Sequence, residues 1–136
     1  MRGILVLVLA ATALVACASG SAQTESGTDL TITYWESGAG KGEPTRWTLR
    51  CNPARGTLAR PAIACRRLAE EGRRVFAPVP RDAICTQIFG GPQVARVVGT
   101  VEGKRVWATF SRQNGCRISR WNAVSPWLLP RASSTS

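Results

Sequence analysis

The stretch VARVVGTVEGKRVWATF, residues 94–110, decides the fold of this chain. Two runs rich in β-branched and aromatic residues, Val94 to Val101 and Arg105 to Phe110, flank the turn Glu102-Gly103-Lys104. Runs of this kind joined by a short glycine-containing loop are typical of a β-hairpin. We therefore predict an antiparallel pair of strands here.

Two further strands and a helix are predicted before the hairpin. Leu30 to Trp35 alternates with a period of two and is rich in β-forming residues, and Arg46 to Cys51 alternates in the same way. A glycine-rich stretch separates them, which favours antiparallel pairing. The best helix runs from Ala62 to Glu71, because Pro61 suits a first turn and Gly72 suits the residue after a helix.

The predicted strands outnumber the helices and mostly follow one another along the chain. After the hairpin, a short helix or an extended tail carries Trp121 and Trp127. This order is typical of an α+β fold, in which an antiparallel sheet carries its helices on one face.

The N-terminus is typical of an exported protein. Arg2 precedes an apolar run from Ile4 to Ala16. A membrane-spanning helix needs about 20 apolar residues, so this run fits a signal-peptide core instead. Its end, Leu14 to Cys17, resembles the lipobox of bacterial lipoproteins, which implies cleavage before Cys17 and a diacylglycerol on its thiol. The alternative is a cut after Ala22, which would give a secreted protein.

These signals divide the chain. We expect a signal peptide at 1–16, a flexible tether at 17–29, one folded domain at 30–129 and a flexible tail at 130–136. With either cleavage site the protein lies outside the cytoplasm, either anchored to the membrane through Cys17 or secreted.

The four cysteines of the domain are Cys51, Cys65, Cys85 and Cys116. In an oxidising compartment they are expected to form two disulfides, but spacing alone leaves all three pairings open.

Composition excludes several classes of function. The chain has no histidine, which excludes histidine-based nucleophilic catalysis and histidine-ligated metal sites. No two carboxylates stand at a spacing typical of a catalytic pair or a calcium loop. We therefore expect no enzyme, no metal site and no cofactor.

Basic residues dominate the charge. Removal of Arg2 with the signal peptide leaves 17 basic and 8 acidic side chains and a net charge of +9. Outside the cytoplasm this favours anionic envelope components over nucleic acid as partners. The alternative is that scattered arginines merely cover the surface.

Six segments of the domain together resemble one known family, the bacterial subtilisin inhibitors of actinomycetes. The segments are Thr48–Cys51, Pro61–Cys65, Ala77–Pro80, Cys85–Pro92, Gly103–Val106 and Phe110–Cys116. The resemblance implies a five-stranded antiparallel sheet with two helices packed on one face, disulfides Cys51–Cys65 and Cys85–Cys116, a homodimer, and inhibition of subtilisin-like serine proteases.

The resemblance also implies a reactive loop. It places P3 at Cys85, P2 at Thr86, P1 at Gln87, P1′ at Ile88 and P2′ at Phe89, with Gln87–Ile88 as the scissile bond. The disulfide beside that bond would hold the cleaved ends together, and the Thr86 hydroxyl would brace the loop. Read without the resemblance, the segment is a disulfide-anchored edge strand.

The side chain of Gln87 predicts the class of target. A trypsin-type pocket would leave its buried carboxylate unpaired, and a chymotrypsin-type pocket prefers a large apolar group, so a tolerant subtilisin-like pocket fits best. The alternative function is an envelope-binding lipoprotein on the same scaffold that inhibits no protease. Val106 and Trp107 are the exposed apolar residues expected to face a dimer partner.

Overall fold

The computed structural model describes residues 27–132. The predicted signal peptide at 1–16, the lipobox with Cys17, the alternative cut after Ala22, most of the tether and the last four residues of the tail lie outside the described residues.

The described part of the chain contains one antiparallel sheet of four strands. These are β1 (Asp29–Trp35), β2 (Thr45–Arg50), β3 (Val94–Val101) and β4 (Lys104–Ser111), in the spatial order β2-β1-β3-β4. All neighbouring pairs are antiparallel, as predicted.

The expectation of five strands is wrong for the described residues. The segment that offered an edge strand, around residues 84–89, has no ladder partner and no regular structure. Its backbone makes isolated hydrogen bonds instead, among them the one that the Thr86 carbonyl accepts from the N–H of Gly115, the first residue of a helix. The segment is therefore held by a few separate contacts rather than by a strand pairing.

The predicted hairpin is confirmed as β3 and β4. Its register joins Val94 to Ser111 and Val101 to Lys104, so two residues form the turn. These are Glu102 at φ 50° and Gly103 at φ 74°. Positive φ at both positions is what a two-residue turn matching the twist of the strands requires, and glycine adopts it without strain.

One face of the sheet is buried and the other is exposed. Strand side chains alternate, so the even-numbered positions of β1 and β4 and the odd-numbered positions of β3 point to the core. The buried strand residues are Leu30, Ile32, Tyr34, Leu49, Ala95, Val97, Val101, Val106, Ala108 and Phe110. Val106 is thus in the core, and its predicted exposure is wrong, because it neighbours the exposed Trp107 on the same strand and must point the opposite way.

Two α-helices cover the buried face, as expected. Helix α1 (Pro61–Glu71) begins at Pro61, ends before Gly72 at φ 63°, and continues into a 3-10 helix, Gly72–Phe76. Helix α2 is Gly115–Val124, so the region of Trp121 is helical rather than extended. The helices contribute Ala64, Leu68, Trp121 and Val124 to the same core as the strands.

Two disulfides join the elements, with the pairing that the family resemblance implied. Cys51 after β2 is bonded to Cys65 in α1, with Cα atoms 5.6 Å apart. Cys85 in the irregular segment is bonded to Cys116 at the start of α2, with Cα atoms 5.3 Å apart. The second bond ties the predicted reactive loop to the helix.

Candidate functional site

The predicted reactive loop lies on the surface as an exposed, irregular segment. Thr86, Gln87, Ile88 and Phe89 are all exposed, and Cys85 is half-buried by its disulfide. Ile88 keeps 58% and Phe89 68% of its surface accessible. Apolar side chains of this size are usually buried, so their exposure indicates a contact surface.

Backbone hydrogen bonds hold the loop on both sides of its centre. On one side the Gly115 N–H donates to the Thr86 carbonyl at 2.9 Å. On the other side the Gly90 N–H donates to the Arg112 carbonyl at 2.7 Å. Between these two anchors the chain carries Gln87, Ile88 and Phe89 outward, and the bond named as scissile lies in that interval.

Arg112 adds a second contact on the Ile88 side. Its Nη1 donates to the Gly90 carbonyl and lies 3.5 Å from the Gln93 Oε1 atom. The Arg112 Nε is buried without a hydrogen-bond partner. Burying an unpaired polar atom lowers the stability of the fold. The contact of the Arg112 guanidinium with the loop is therefore made at a cost in folding free energy.

Glycines allow the loop to lie directly against the chain behind it. A Cβ at Gly115 would overlap the Thr86 hydroxyl oxygen, and a Cβ at Gly90 would lie 2.7 Å from the Ile118 Cδ1 atom. Because Gly115 is also the first residue of α2, the close approach places Thr86 at the start of that helix. Asn114 fixes this start, since its side chain accepts a hydrogen bond from the Arg117 N–H at 3.0 Å.

Arg120 holds the chain that leads into the loop. Its Nε donates to the Ala77 carbonyl at 2.7 Å, and its Nη2 donates to the Phe76 carbonyl at 3.0 Å. Its Nη1 donates to the Thr109 carbonyl of β4, and the guanidinium stacks 4.1 Å from the Phe110 ring centroid. Burial lowers the pKa of Arg120, and the nearby charge of Arg117 lowers it further.

The structure refines two details of the predicted loop. Thr86 is held through its backbone carbonyl, and its hydroxyl lies against Gly115, so the bracing role of the hydroxyl stays a prediction. The Gln87 side chain folds back, and its Nε2 donates to the Cys85 carbonyl at 3.2 Å. A single hydrogen bond between exposed groups contributes little, so it holds the Gln87 side chain only weakly.

Sequence reasoning missed the residues that support the loop: Arg112, Gly115 and Arg120. The first two lie in a segment that carried the family resemblance, but no role was assigned to them. Each contacts a residue far away along the chain. Arg112 contacts Gly90, 22 residues earlier, and Gly115 contacts Thr86, 29 residues earlier. Arg120 contacts Ala77, 43 residues earlier. The Asn114-Gly115 dipeptide, a sequence typical of turns, is the one local signal near these residues, and it does not identify Thr86 as the partner of Gly115.

Residues 27–132 contain no group of three or more potential ligands able to hold a metal ion. Within the same residues, no helix combines the length and apolar character needed to cross a membrane.

Comparison with known proteins assigns the family. The model of the subtilisin inhibitor-like family matches residues 24–114, a span that includes all four strands and the loop. This chain belongs to the subtilisin inhibitor-like family. Membership places it among protease inhibitors rather than enzymes.

The solved structures that are similar to this subtilisin inhibitor-like chain include one complex with subtilisin. It is Streptomyces caespitosus sermetstatin in complex with Bacillus licheniformis subtilisin, at 26% identity, covering 71% of this chain and 94% of that chain, with a TM-score of 0.48. At this TM-score the similarity adds nothing to the family assignment. No curated protein matches the chain.

Proposed function

We propose that this protein inhibits subtilisin-like serine proteases by presenting Gln87–Ile88 as a substrate that is held in place. One observation carries the proposal: in a member of the subtilisin inhibitor-like family, the residues on either side of Gln87–Ile88 are anchored while the bond itself stays exposed. Family membership favours this function over envelope binding without inhibition.

The anchors explain how such a loop would inhibit. A serine protease binds its substrate as an extended strand, with backbone hydrogen bonds along the edge of its site. Because Cys85, Thr86 and Gly90 are already fixed, little conformational entropy remains to be lost on binding. The association is therefore tighter than that of a flexible peptide with the same side chains.

The same anchors act after cleavage. Attack by the protease serine on the Gln87 carbonyl forms an acyl-enzyme and releases the Ile88 amine. That amine belongs to a chain still bound at Gly90 through its N–H and its carbonyl, and the acyl side is still bound through Cys85. The amine stays close to the ester carbonyl, so re-formation of the peptide bond competes with hydrolysis.

The side chain at P1 offers a test of the loop assignment. We expect Gln87→Lys to create inhibition of trypsin, because a lysine pairs with the buried carboxylate of a trypsin-type pocket. The matched control is Gln113→Lys, an exposed glutamine outside the loop, which should leave trypsin uninhibited. Equal behaviour of the two variants in a trypsin inhibition assay would remove Gln87 from P1.

We further propose that the exposed face of the sheet forms a homodimer contact. Val98 and Trp107 are paired across β3 and β4 and keep 45% and 77% of their surfaces accessible. They form an apolar patch on a face otherwise rich in arginine and threonine. Sedimentation should show a dimer for the native protein and a monomer for Trp107→Arg, and a native monomer would refute the contact.

The membrane anchor remains a proposal that rests on sequence. Leu14 to Cys17 has the form of a lipobox, and the disulfides and the family fit a location outside the cytoplasm. Mass spectrometry of the protein from its own membrane fraction should show a lipid-modified Cys17 at the new N-terminus. An unmodified protein beginning at Gln23 would instead support secretion.

A further inference from the structure

Gln93 is a polar residue buried beside the end of the reactive loop. It follows Pro92, directly precedes β3, and keeps 4% of its surface accessible. Burying an amide side chain costs free energy unless the amide finds hydrogen-bond partners. The contacts of the Gln93 amide therefore indicate its role.

The Gln93 side chain lies against Gly91 and the Arg112 guanidinium. A Cβ at Gly91 would overlap the Gln93 Oε1 atom and would lie 3.2 Å from the Arg112 Nη1 atom, so both groups occupy space that a glycine leaves free. The same Nη1 atom donates to Gln93 Oε1 at 3.5 Å and to the Gly90 carbonyl. We call these four residues, Gly90, Gly91, Gln93 and Arg112, the Gly90 clamp.

Within the Gly90 clamp, Gln93 is the acceptor that does not belong to the loop. Neither of the two ion pairs formed among residues 27–132 involves Arg112, so no carboxylate fixes its guanidinium. The side-chain hydrogen bonds of Arg112 in that range go to the Gly90 carbonyl and to Gln93. Ordering a long arginine side chain costs conformational entropy, and a second acceptor restricts it further. Gln93 adjoins Val94, the first residue of β3, so the sheet sets the position of this acceptor.

We propose that Gln93 is a positioning residue of the inhibitor. Its side-chain oxygen holds the Arg112 guanidinium on the Gly90 carbonyl, and so keeps the Ile88 side of the loop in place. Because Gln93 is buried, it acts through Arg112 and not by contact with a protease. The role rests on the proposed inhibition at Gln87–Ile88.

The position of Gln93 matters most after cleavage. The Ile88 side of a cut loop depends on the contacts of Gly90 with Arg112. If the cut end moves, the guanidinium loses the Gly90 carbonyl but is still bound to Gln93. The carbonyl then finds its donor again without a search through arginine conformations, which favours re-formation of the peptide bond.

The test is a double-mutant cycle of Gln93→Met and Arg112→Met in the purified protein. Methionine keeps an unbranched stem of similar volume and removes the acceptor oxygen. We expect Gln93→Met to raise the inhibition constant against subtilisin and the rate of cleavage at Gln87–Ile88 by about threefold. In the Arg112→Met background the same change should alter both by less than about 1.5-fold, because the residue that Gln93 positions is gone.

Two further variants separate positioning from packing. Gln93→Glu keeps an acceptor oxygen at the same place and should stay within about twofold of the native protein. Gln113→Met is the matched control, since Gln113 accepts a hydrogen bond from the Arg117 Nη1 atom at 2.9 Å, away from the loop. This control should inhibit like the native protein.

Three results would each overturn the proposal. They are native inhibition by Gln93→Met, an equal effect of Gln93→Met with and without Arg112, and a loss in Gln93→Glu as large as that in Gln93→Met. A native protein that inhibits no protease would refute the proposed function instead.

Hydrogen exchange of the Gly90 N–H reports on the Gly90 clamp without a protease. We expect exchange to be about threefold faster in Gln93→Met, with no further change from Gln93→Met once Arg112 is replaced. An unchanged exchange rate in Gln93→Met would overturn the positioning role, whether or not the protein inhibits subtilisin.

Discussion

Arg112→Met tests whether the loop is a held substrate or only an exposed one. The change removes the Nη1 donor to the Gly90 carbonyl and keeps an unbranched apolar stem of similar shape. A hydrogen bond from a charged donor contributes about 1.5–3 kcal/mol. Removal of the buried, unpartnered Nε offsets about 1 kcal/mol of this.

The net effect on the loop is a loss of about 0.5–2 kcal/mol, which corresponds to a factor of about 2–30 in an equilibrium constant. We therefore expect the inhibition constant against subtilisin to rise by that factor. Cleavage between Gln87 and Ile88 should also become faster, because the Ile88 side of the cut loop is held less firmly. Inhibition assays and intact-mass spectrometry over several hours measure the two effects.

Arg117→Met is the matched control. Arg117 is an exposed arginine of the same region, and its Nη1 donates to Gln113 and Ser111 rather than to the loop. It loses the same charge, so any effect of net charge on the association appears in both variants. Equal inhibition constants and equal cleavage rates for Arg112→Met and Arg117→Met, in variants that both remain folded, would refute the reasoning.

Three further changes probe the other supports. Gly115→Ala should weaken inhibition, because the new methyl group overlaps the Thr86 hydroxyl. Adding Thr86→Ala should restore part of the lost inhibition. A double variant that inhibits no better than Gly115→Ala would argue against the close contact. Replacing Cys85 and Cys116 by serine should convert the inhibitor into a substrate of subtilisin. It should also lower the free energy of unfolding, measured by denaturant titration, by about 3–4 kcal/mol. A variant that stays intact with subtilisin would show that the disulfide is dispensable. Arg120→Met should lower thermal stability, because three backbone carbonyls lose their donor, and an unchanged melting temperature would mean that the chain entering the loop is fixed by other contacts.

Much of the fold follows from local patterns in the sequence. The hairpin of β3 and β4 carries β-branched residues on both sides of a glycine turn, and these signals act within a few residues. Helix α1 is bounded by a proline and a glycine whose backbone preferences fix its ends. The first strand begins at Asp29, one residue before its predicted start, because its pairing with β2 and β3 extends there.

The fifth strand shows where the resemblance misled. A resemblance gives the strand count of relatives, but in this chain the segment around residues 84–89 makes isolated hydrogen bonds, such as the one that the Thr86 carbonyl accepts from the Gly115 N–H, and no ladder. The loop centre was found by resemblance, since Gln87 and Ile88 carry no chemical signal of their own. Val106 was predicted to be exposed together with Trp107, but it is buried. Neighbouring residues of a strand point to opposite faces, so an exposed Trp107 places Val106 on the buried face.

The supports of the loop could not be read from the sequence. Arg112 and Arg120 are two of many arginines, and what distinguishes them is which backbone carbonyl each one reaches. Those carbonyls lie at least 11 residues away, so the contacts exist only after the sheet and α2 have packed.

The most direct measurement is a titration of subtilisin with the purified protein, followed over hours by residual activity and by mass spectrometry. We predict loss of activity near one inhibitor chain per protease and a slow, partial cut between Gln87 and Ile88. Full protease activity in the presence of the folded, correctly disulfide-bonded protein would contradict it, and so would rapid cleavage at that bond without inhibition.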